Sequence, residues 1–215
     1  MRQSTTGLLI VVSGPAGVGK GTINAELMNR NPKIRMSVSV TTRDPRPGEI
    51  EGVHYFFKSV DEFKSMIREG KFLEYMHVFG MNYYGTPKEY VLEQLNAGNH
   101  VILEIDVQGA RKIKESFPNA VRIFIAPPSM KTLKERLIGR GTETAEQIER
   151  RTRTAFTEMA DMPACDYIVV NDNLEAAVRQ MEAIITAEQC SVVHNADIIN
   201  EFLGGIQNAE SSCNQ

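Results

Sequence analysis

Leu8 to Val12 are apolar without interruption, and the glycine-rich stretch GPAGVGKGT follows from Gly14 to Thr22. An unbroken apolar run of that length reads as a strand buried on both faces, the habit of parallel sheets. Ile23, Leu27 and Met28 then recur at helical spacing, which predicts a helix after the glycines. Met36 to Val40 predicts another short strand, and the segment TTRDPRPGEIEGVHYFF, Thr41 to Phe57, is broken up by Pro and Gly. Val60 to Ile67 carries a helical pattern with Ser59 as its N-cap. Phe72 to Val78 and Tyr83-Tyr84 read as strands. Thr86-Pro87 reads as a helix start, with the hydroxyl as cap and Pro at the first helical position. Val101 to Ile105, Val121 to Ala126 and Tyr167 to Val170 are further strand-like runs. Between and after them lie helical patterns over Ala110 to Phe117, from Ser129 through Leu137, from Thr144 to Met159 and from Leu174 to Ala187. Thr144 with Gln147 matches a capping box.

This alternation predicts an α/β fold whose core is a doubly wound parallel sheet, with ligands at the carboxyl ends of its strands. The region 37–97 is different in character and reads as a mixed α+β lobe inserted into that core. GRGTET, Gly139 to Thr144, interrupts the pattern again and opens a small helical lid. The expected division is therefore 1–36, 98–137 and 160–190 for the core, 37–97 for the inserted lobe and 138–159 for the lid. Residues 191–215 form a polar extension expected to fray. No internal repeat is visible.

Composition and charge narrow the class. The formal net charge is −3, so no global basic field invites nucleic acid. Cys165, Cys190 and Cys213 are odd in number and scattered. They form no C-x-x-C pair and read as buried or free thiols of a reducing compartment. No apolar run approaches membrane-spanning length, and Leu8 to Val12 is too short for a signal-peptide core. The expected location is the cytoplasm. His54, His77, His100 and His194 show no metal-ligand spacing and read as structural or surface residues.

The chemistry begins at the glycines. A phosphate-binding loop reads G-x-x-x-x-G-K-[S/T], and Gly14, Gly19 and Lys20 fit it, with Pro15, Ala16, Gly17 and Val18 between. Glycines let backbone N–H groups converge on phosphate oxygens, and the following helix presents its positive end to the same charge. Lys20 can reach the outer phosphates. Gly21 stands where a hydroxyl for Mg²⁺ is usual, and Thr22 brings one a residue later. Thr22 takes a share of the metal, or water fills the shell, which Mg²⁺ accepts readily.

The G-K-G-T ending resembles that of nucleoside monophosphate kinases. Ser37 to Phe57 closely resembles the signature of guanylate kinases, as do FLEYMHVFGMNYYGTP, ILEIDVQG, IFIAPPS and ERLIGRGTET. The resemblance runs in order over about residues 7 to 188. It implies transfer of the γ-phosphoryl group of ATP to GMP, with Mg²⁺, in purine nucleotide supply. It places the GMP phosphate on Ser39, Arg43, Arg46, Tyr55 and Tyr84, and the guanine on Glu74, Thr86 and Asp106. Physical chemistry agrees. Arg43 and Arg46 are stiffened by Pro45 and Pro47, and forked guanidiniums suit a phosphate. A carboxylate at Glu74 can accept both N1–H and the 2-amino group of guanine, donors that adenine lacks. Thr86 suits O6, a role that competes with helix capping for one hydroxyl. One departure is Met81, an extra residue between Gly80 and Asn82, which predicts a bulge at the strand turn.

Glu104 and Asp106, two apart at a strand end, are read as facing one way, where acidic groups steer Mg²⁺ or its waters. On the helix after Thr144, Ile148, Thr152, Ala155 and Met159 form one stripe. Arg151 lies about 60° from its centre, whereas Arg150 and Arg153 face solvent. The resemblance selects Arg151 too, together with Arg136 and Arg140, while Gly139 and Gly141 supply hinge freedom. Lys20, Arg43, Arg136, Arg140 and Arg151 are thus the candidate catalytic residues. No general base is needed, because the attacking phosphate oxygen is already ionised; catalysis would rest on alignment, charge neutralisation and exclusion of water. Three other readings stand beside this one. A catalytically inactive interaction module would lack an intact phosphate loop. A GTPase would need an N-K-x-D element, which the chain lacks although Asp106 to Gly109 mimics D-x-x-G. A kinase for another base would not need Glu74.

Overall fold

From its start the chain runs β1 (Leu9–Ser13), α1 (Lys20–Arg30), β2 (Ile34–Met36), β3 (Val40–Thr41), β4 (Phe56–Phe57) and α2 (Val60–Arg68). It continues through β5 (Phe72–Val78), β6 (Asn82–Pro87), α3 (Lys88–Asn96), β7 (His100–Glu104), α4 (Val107–Ser116) and β8 (Val121–Ala126). The last elements are α5 (Met130–Gly139), α6 (Ala145–Met159), β9 (Tyr167–Val170) and α7 (Leu174–Gln189). The computed structural model describes residues 6–78, 80–139 and 144–203.

Two sheets result. The first is five-stranded, in the order β2-β7-β1-β8-β9, with every pairing parallel. The second has the order β4-β3-β6-β5 and mixes one parallel with two antiparallel pairings. All of β1 is buried, because its alternating side chains feed two cores. Ile10 and Val12 join Ile23, Leu27, Leu133, Val178 and Met181 on one side of the sheet. Leu9 and Val11 join Val91, Leu103, Ala110 and Ile113 on the other. A strand covered on both faces has no reason to alternate polar and apolar, which is why its sequence reads as a solid apolar block. The α/β fold with an inserted mixed sheet is as expected. Among the described residues no helix is long and apolar enough to cross a membrane.

Helix starts follow the local chemistry closely. Ser59 and Glu62 form a full capping box at α2, and Thr144 and Gln147 form another at α6. The Ser129 hydroxyl accepts the Thr132 N–H at 3.0 Å at the start of α5.

Four expectations are corrected. Met36 to Val40 is not one strand: β2 and β3 end and begin within it and belong to different sheets, the chain leaving the core between them. Thr86 does not cap α3. It lies inside β6, its hydroxyl donates to Glu74, and α3 starts at Lys88 without a side-chain cap. The helix expected from Ala110 begins at Val107, because Asp106 caps it by accepting the Gly109 N–H at 2.8 Å. Asp106 therefore lies beyond β7, and the period-two argument that paired it with Glu104 fails. Met81 makes no bulge; it is an exposed turn residue whose N–H reaches the Val78 carbonyl, while Val78 and Asn82 pair directly. The register irregularity lies between Phe72 and Glu74 instead. The described part of the C-terminal extension forms a 3-10 turn at Val193–Asn195 and a helix over 196–203. The His194 ring anchors it, within 2.9 Å of the Asn119 carbonyl and 3.2 Å of the Glu188 carboxylate. Arg140, Gly141 and Cys213 lie outside the described residues.

Candidate active site

The glycine loop joins β1 to α1 at the carboxyl end of the parallel sheet. Gly14 has φ +136°, and a Cβ there would stand 2.3 Å from the Ile125 carbonyl oxygen. Gly19, with φ +97°, is the N-cap of α1, and a Cβ there would meet the Asn171 amide at 2.5 Å. Both positions demand glycine, and with Gly19 as N-cap α1 starts without a side-chain cap, an arrangement that suits an anion at the helix N-terminus. Lys20 Nζ donates to the Gly14 carbonyl at 2.6 Å and to that of Pro15 at 3.3 Å. Val18 is fully buried and Pro15 buried, Ala16, Lys20 and Ser39 are partly covered, and Gly21 and Thr22 are exposed.

Asn171, just past β9, escaped the sequence reading. It is 7 % exposed. Its side-chain amide donates to the Val18 carbonyl at 2.8 Å, and its own carbonyl accepts Arg136 Nη1 at 2.9 Å. One residue thus ties the glycine loop to the arginine of α5. Nothing in the local pattern announces this, because its partners lie 153 and 35 residues away. On α6, Arg151 is partly covered while Arg150 and Arg153 are exposed, as the helical count requires. Glu158, also unforeseen, brings the other end of α6 to the site. It is half-buried, its carboxyl is raised by burial, and Lys20 attracts it while Asp106 repels it.

On the inserted sheet, Glu74 and Thr86 are direct partners of β5 and β6. Glu74 is 7 % exposed and accepts the Thr86 hydroxyl proton at 2.8 Å. Burial pushes its carboxyl up to about 7; the Thr86 bond opposes this, and the negative charge of Asp106 adds to it. A Cβ on Gly109 of α4 would stand 3.1 Å from Glu74 Oε2. The buried carboxylate of the inserted sheet is thereby seated against the start of a core helix.

A second group gathers beside it. The guanidinium of Arg43 lies 5.4 Å over the Tyr55 ring, and Tyr55 meets Tyr84 edge-on at 6.1 Å. Arg43 also interacts with the Tyr84 hydroxyl and binds both carboxylate oxygens of Glu49, at 2.8 and 2.9 Å. Burial penalises its charge, but the bonds to Glu49 and Tyr84 outweigh that and keep its pKa above the ordinary value. Burial also raises the Tyr55 hydroxyl, which stays a neutral donor. The Arg46 side chain, by contrast, is exposed; its backbone N–H donates to Glu49 at 2.7 Å, and its charge helps hold that carboxyl down. Glu104 ends β7 with its Oε2 accepting Asn24 Nδ2 at 2.9 Å, and lies 3.8 Å from where a Cβ of Gly21 would be.

The histidines have structural partners. His100 accepts the Leu8 N–H through Nδ1 and meets Gln189 through Nε2; His54 accepts the Ile50 N–H; His77 stacks on Tyr83.

A family model described as guanylate kinase matches residues 6–188. A guanylate kinase of Caldanaerobacter subterraneus subsp. tengcongensis is 52% identical over 192 residues, covering 89% of this chain and 93% of that one. One from Shouchella clausii is 55% identical over 184 residues, 86% and 89% of the two chains. The crystal structure of guanylate kinase from Anaplasma phagocytophilum aligns with a TM-score of 0.76 at 32% identity, over 93% of this chain and 96% of that one.

Proposed function

The chain belongs to the guanylate kinase family, and from that premise we propose how its residues share the work of transferring the γ-phosphoryl group of ATP to GMP, giving GDP and ADP. The observation that carries the assignment is Glu74, a buried carboxylate braced by Thr86 and seated against Gly109 at the carboxyl ends of the core strands. Buried carboxylates are costly unless something pairs with them, and the two adjacent donors of guanine are a matching partner. Thr86 holds Glu74 while no base is bound, and its hydroxyl then turns toward O6. Asp106 caps α4 and sets its position under Glu74.

The GMP phosphate goes to Ser39, Arg43, Arg46, Tyr55 and Tyr84, and the ATP phosphates go to the loop from Gly14 to Thr22. Lys20 leaves the Gly14 and Pro15 carbonyls for the outer phosphates. Arg136 at the end of the core and Arg140 and Arg151 of the lid, 138–159, go to the transferring phosphate, and the inserted lobe, 37–97, carries GMP toward them. The positive groups offset the repulsion between the two nucleotides, and closure excludes water. An ionised phosphate oxygen of GMP attacks directly, so no residue has to remove a proton.

The donors near Gly21 fit magnesium. Glu104 and Thr22 offer two hard oxygens, and Mg²⁺ commonly keeps several waters beside few protein ligands. When bound, it neutralises charge on the ATP phosphates.

A coupled assay of ATP with GMP, AMP, dTMP and UMP tests these roles. GMP is the acceptor turned over. Lys20→Ala removes turnover, and Glu74→Ala shrinks the preference for GMP over AMP by about ten- to a hundredfold. An unchanged preference in the Glu74 variant would overturn the base assignment.

A further inference from the structure

Arg46, Pro47, Gly48 and Glu49 form a tight turn. The Glu49 N–H reaches the Arg46 carbonyl at 3.0 Å, and Gly48 has φ +85°. Pro at the second position and a left-handed glycine at the third are the marks of a type II turn. The turn swings the Glu49 side chain back over the segment it closes. There its Oε2 accepts the Arg46 N–H at 2.7 Å, and both its oxygens accept Arg43 Nη2. Only 17% of the Glu49 side chain and 14% of that of Arg43 are exposed. Arg43 Nη1 meanwhile donates to the Asp44 carbonyl at 2.6 Å. A guanidinium has five N–H groups, so these bonds fix its plane and leave others for a phosphate.

We propose that Glu49 is a positioning residue for GMP: its carboxylate aligns Arg43 and the Arg46 backbone before the phosphate arrives and stays in place afterwards. This rests on the assignment of Arg43 and Arg46 to the GMP phosphate. Two cations three residues apart repel, and each long side chain loses rotamer freedom when a ligand fixes it. A permanent internal anion removes both costs in advance, which is preorganisation. The carboxyl of Glu49 is itself held below its ordinary range by Arg43, so it remains charged at neutral pH.

The test uses full-length Glu49→Gln, Glu49→Asp and Arg43→Ala enzymes, titrated with GMP and with guanosine, which lacks the phosphate, and assayed with ATP. Glu49→Gln is expected to weaken GMP binding by about ten- to a hundredfold, the range for a lost hydrogen bond to a charged group. Guanosine binding and the KM for ATP should not move, and kcat at saturating GMP should be retained. Glu49→Asp keeps the charge and should recover part of the loss. Should Glu49→Gln not fold, the same GMP-to-guanosine ratio is read from Glu49→Asp, where a lesser fall is expected and none would count against the idea. Unchanged GMP binding overturns the proposal, and so does tighter binding, which would mean the carboxylate competes with phosphate. An equal loss for GMP and guanosine also overturns it, because that marks general damage to the lobe. If Arg43→Ala collapses the ratio while the Glu49 variants do not, only Glu49 is misassigned. If Arg43→Ala leaves it intact, the phosphate assignment itself is wrong.

Discussion

A carboxyl group with 7% exposure, close to a second carboxylate, holds its proton longer than one in water. Burial pushes the Glu74 carboxyl up to about 7, whereas under the proposed assignment guanine needs its ionised form, because both facing groups on the base are donors. GMP binding therefore strengthens as pH rises through 7 and levels off above it. A KM profile for GMP from pH 6 to pH 8.5 checks this. The GMP phosphate has its own ionisation near pH 6, at about the usual value for a phosphate monoester. Glu74→Gln should keep that lower limb and lose the upper one. The same shift has a stability consequence. Since the folded value lies above the ordinary 4.5, the contribution is whole below pH 4.5 and fades as pH climbs through 7. Its size is about 3 kcal/mol, which bound guanine restores. The sequence singles out Glu74 through FLEYMHVFGMNYYGTP. Its raised pKa is not legible there, because burial and the neighbouring Asp106 come from different elements. Thr86 shows the reverse error: Thr-Pro has the local form of a helix start, but the hydroxyl prefers a buried charged partner 2.8 Å away.

Elements were read most reliably where their signals are local. The capping boxes at Ser59 and Thr144 and the apolar blocks of β1 and β8 depend on neighbours within a few residues. The start of α4 was missed although its signal is local, Asp106 accepting the Gly109 N–H three residues on. Asn171 is the clearest case of an element tied by something distant, since it joins the end of β9 to the glycine loop and to α5. Asn171→Ala leaves the carbonyl of the fully buried Val18 without that donor. The expected loss is about 1–3 kcal/mol, seen as a fall in Tm of about 2–4 °C per kcal/mol for a chain of this size. The KM for ATP should rise as the loop loosens. An unchanged Tm together with unchanged ATP affinity would refute the clamp.

At the scale of the whole molecule, His100 joins the start of the core to its last long helix. Its Nδ1 accepts the Leu8 N–H at 3.0 Å, and its Nε2 lies 2.9 Å from the Gln189 side-chain amide nitrogen. Burial, with the nearby charge of Lys33, lowers its pKa from 6.5. For a histidine with a depressed value, stability is present above pH 6.5 and is lost as pH falls through the folded value. His100→Gln removes that titration. The Tm advantage of the parent over the variant should be largest near pH 7.5 and narrow toward pH 5, as thermal melts would show. A gap that widens on acidification would contradict the neutral, hydrogen-bonded imidazole.

The residue order by itself determined the α/β class, the glycine loop between β1 and α1, the helix caps at Ser59 and Thr144 and the motifs that mark the family, since each is written in contiguous residues whose chemistry is local. Only the tertiary structure decided that Thr86 serves Glu74, that Asp106 stands close enough to Glu74 to raise its pKa and that Asn171 clamps the loop. The reason is physical. A buried polar group takes whichever partner the packing of distant segments brings within about 3 Å, and that choice leaves no periodic trace along the chain.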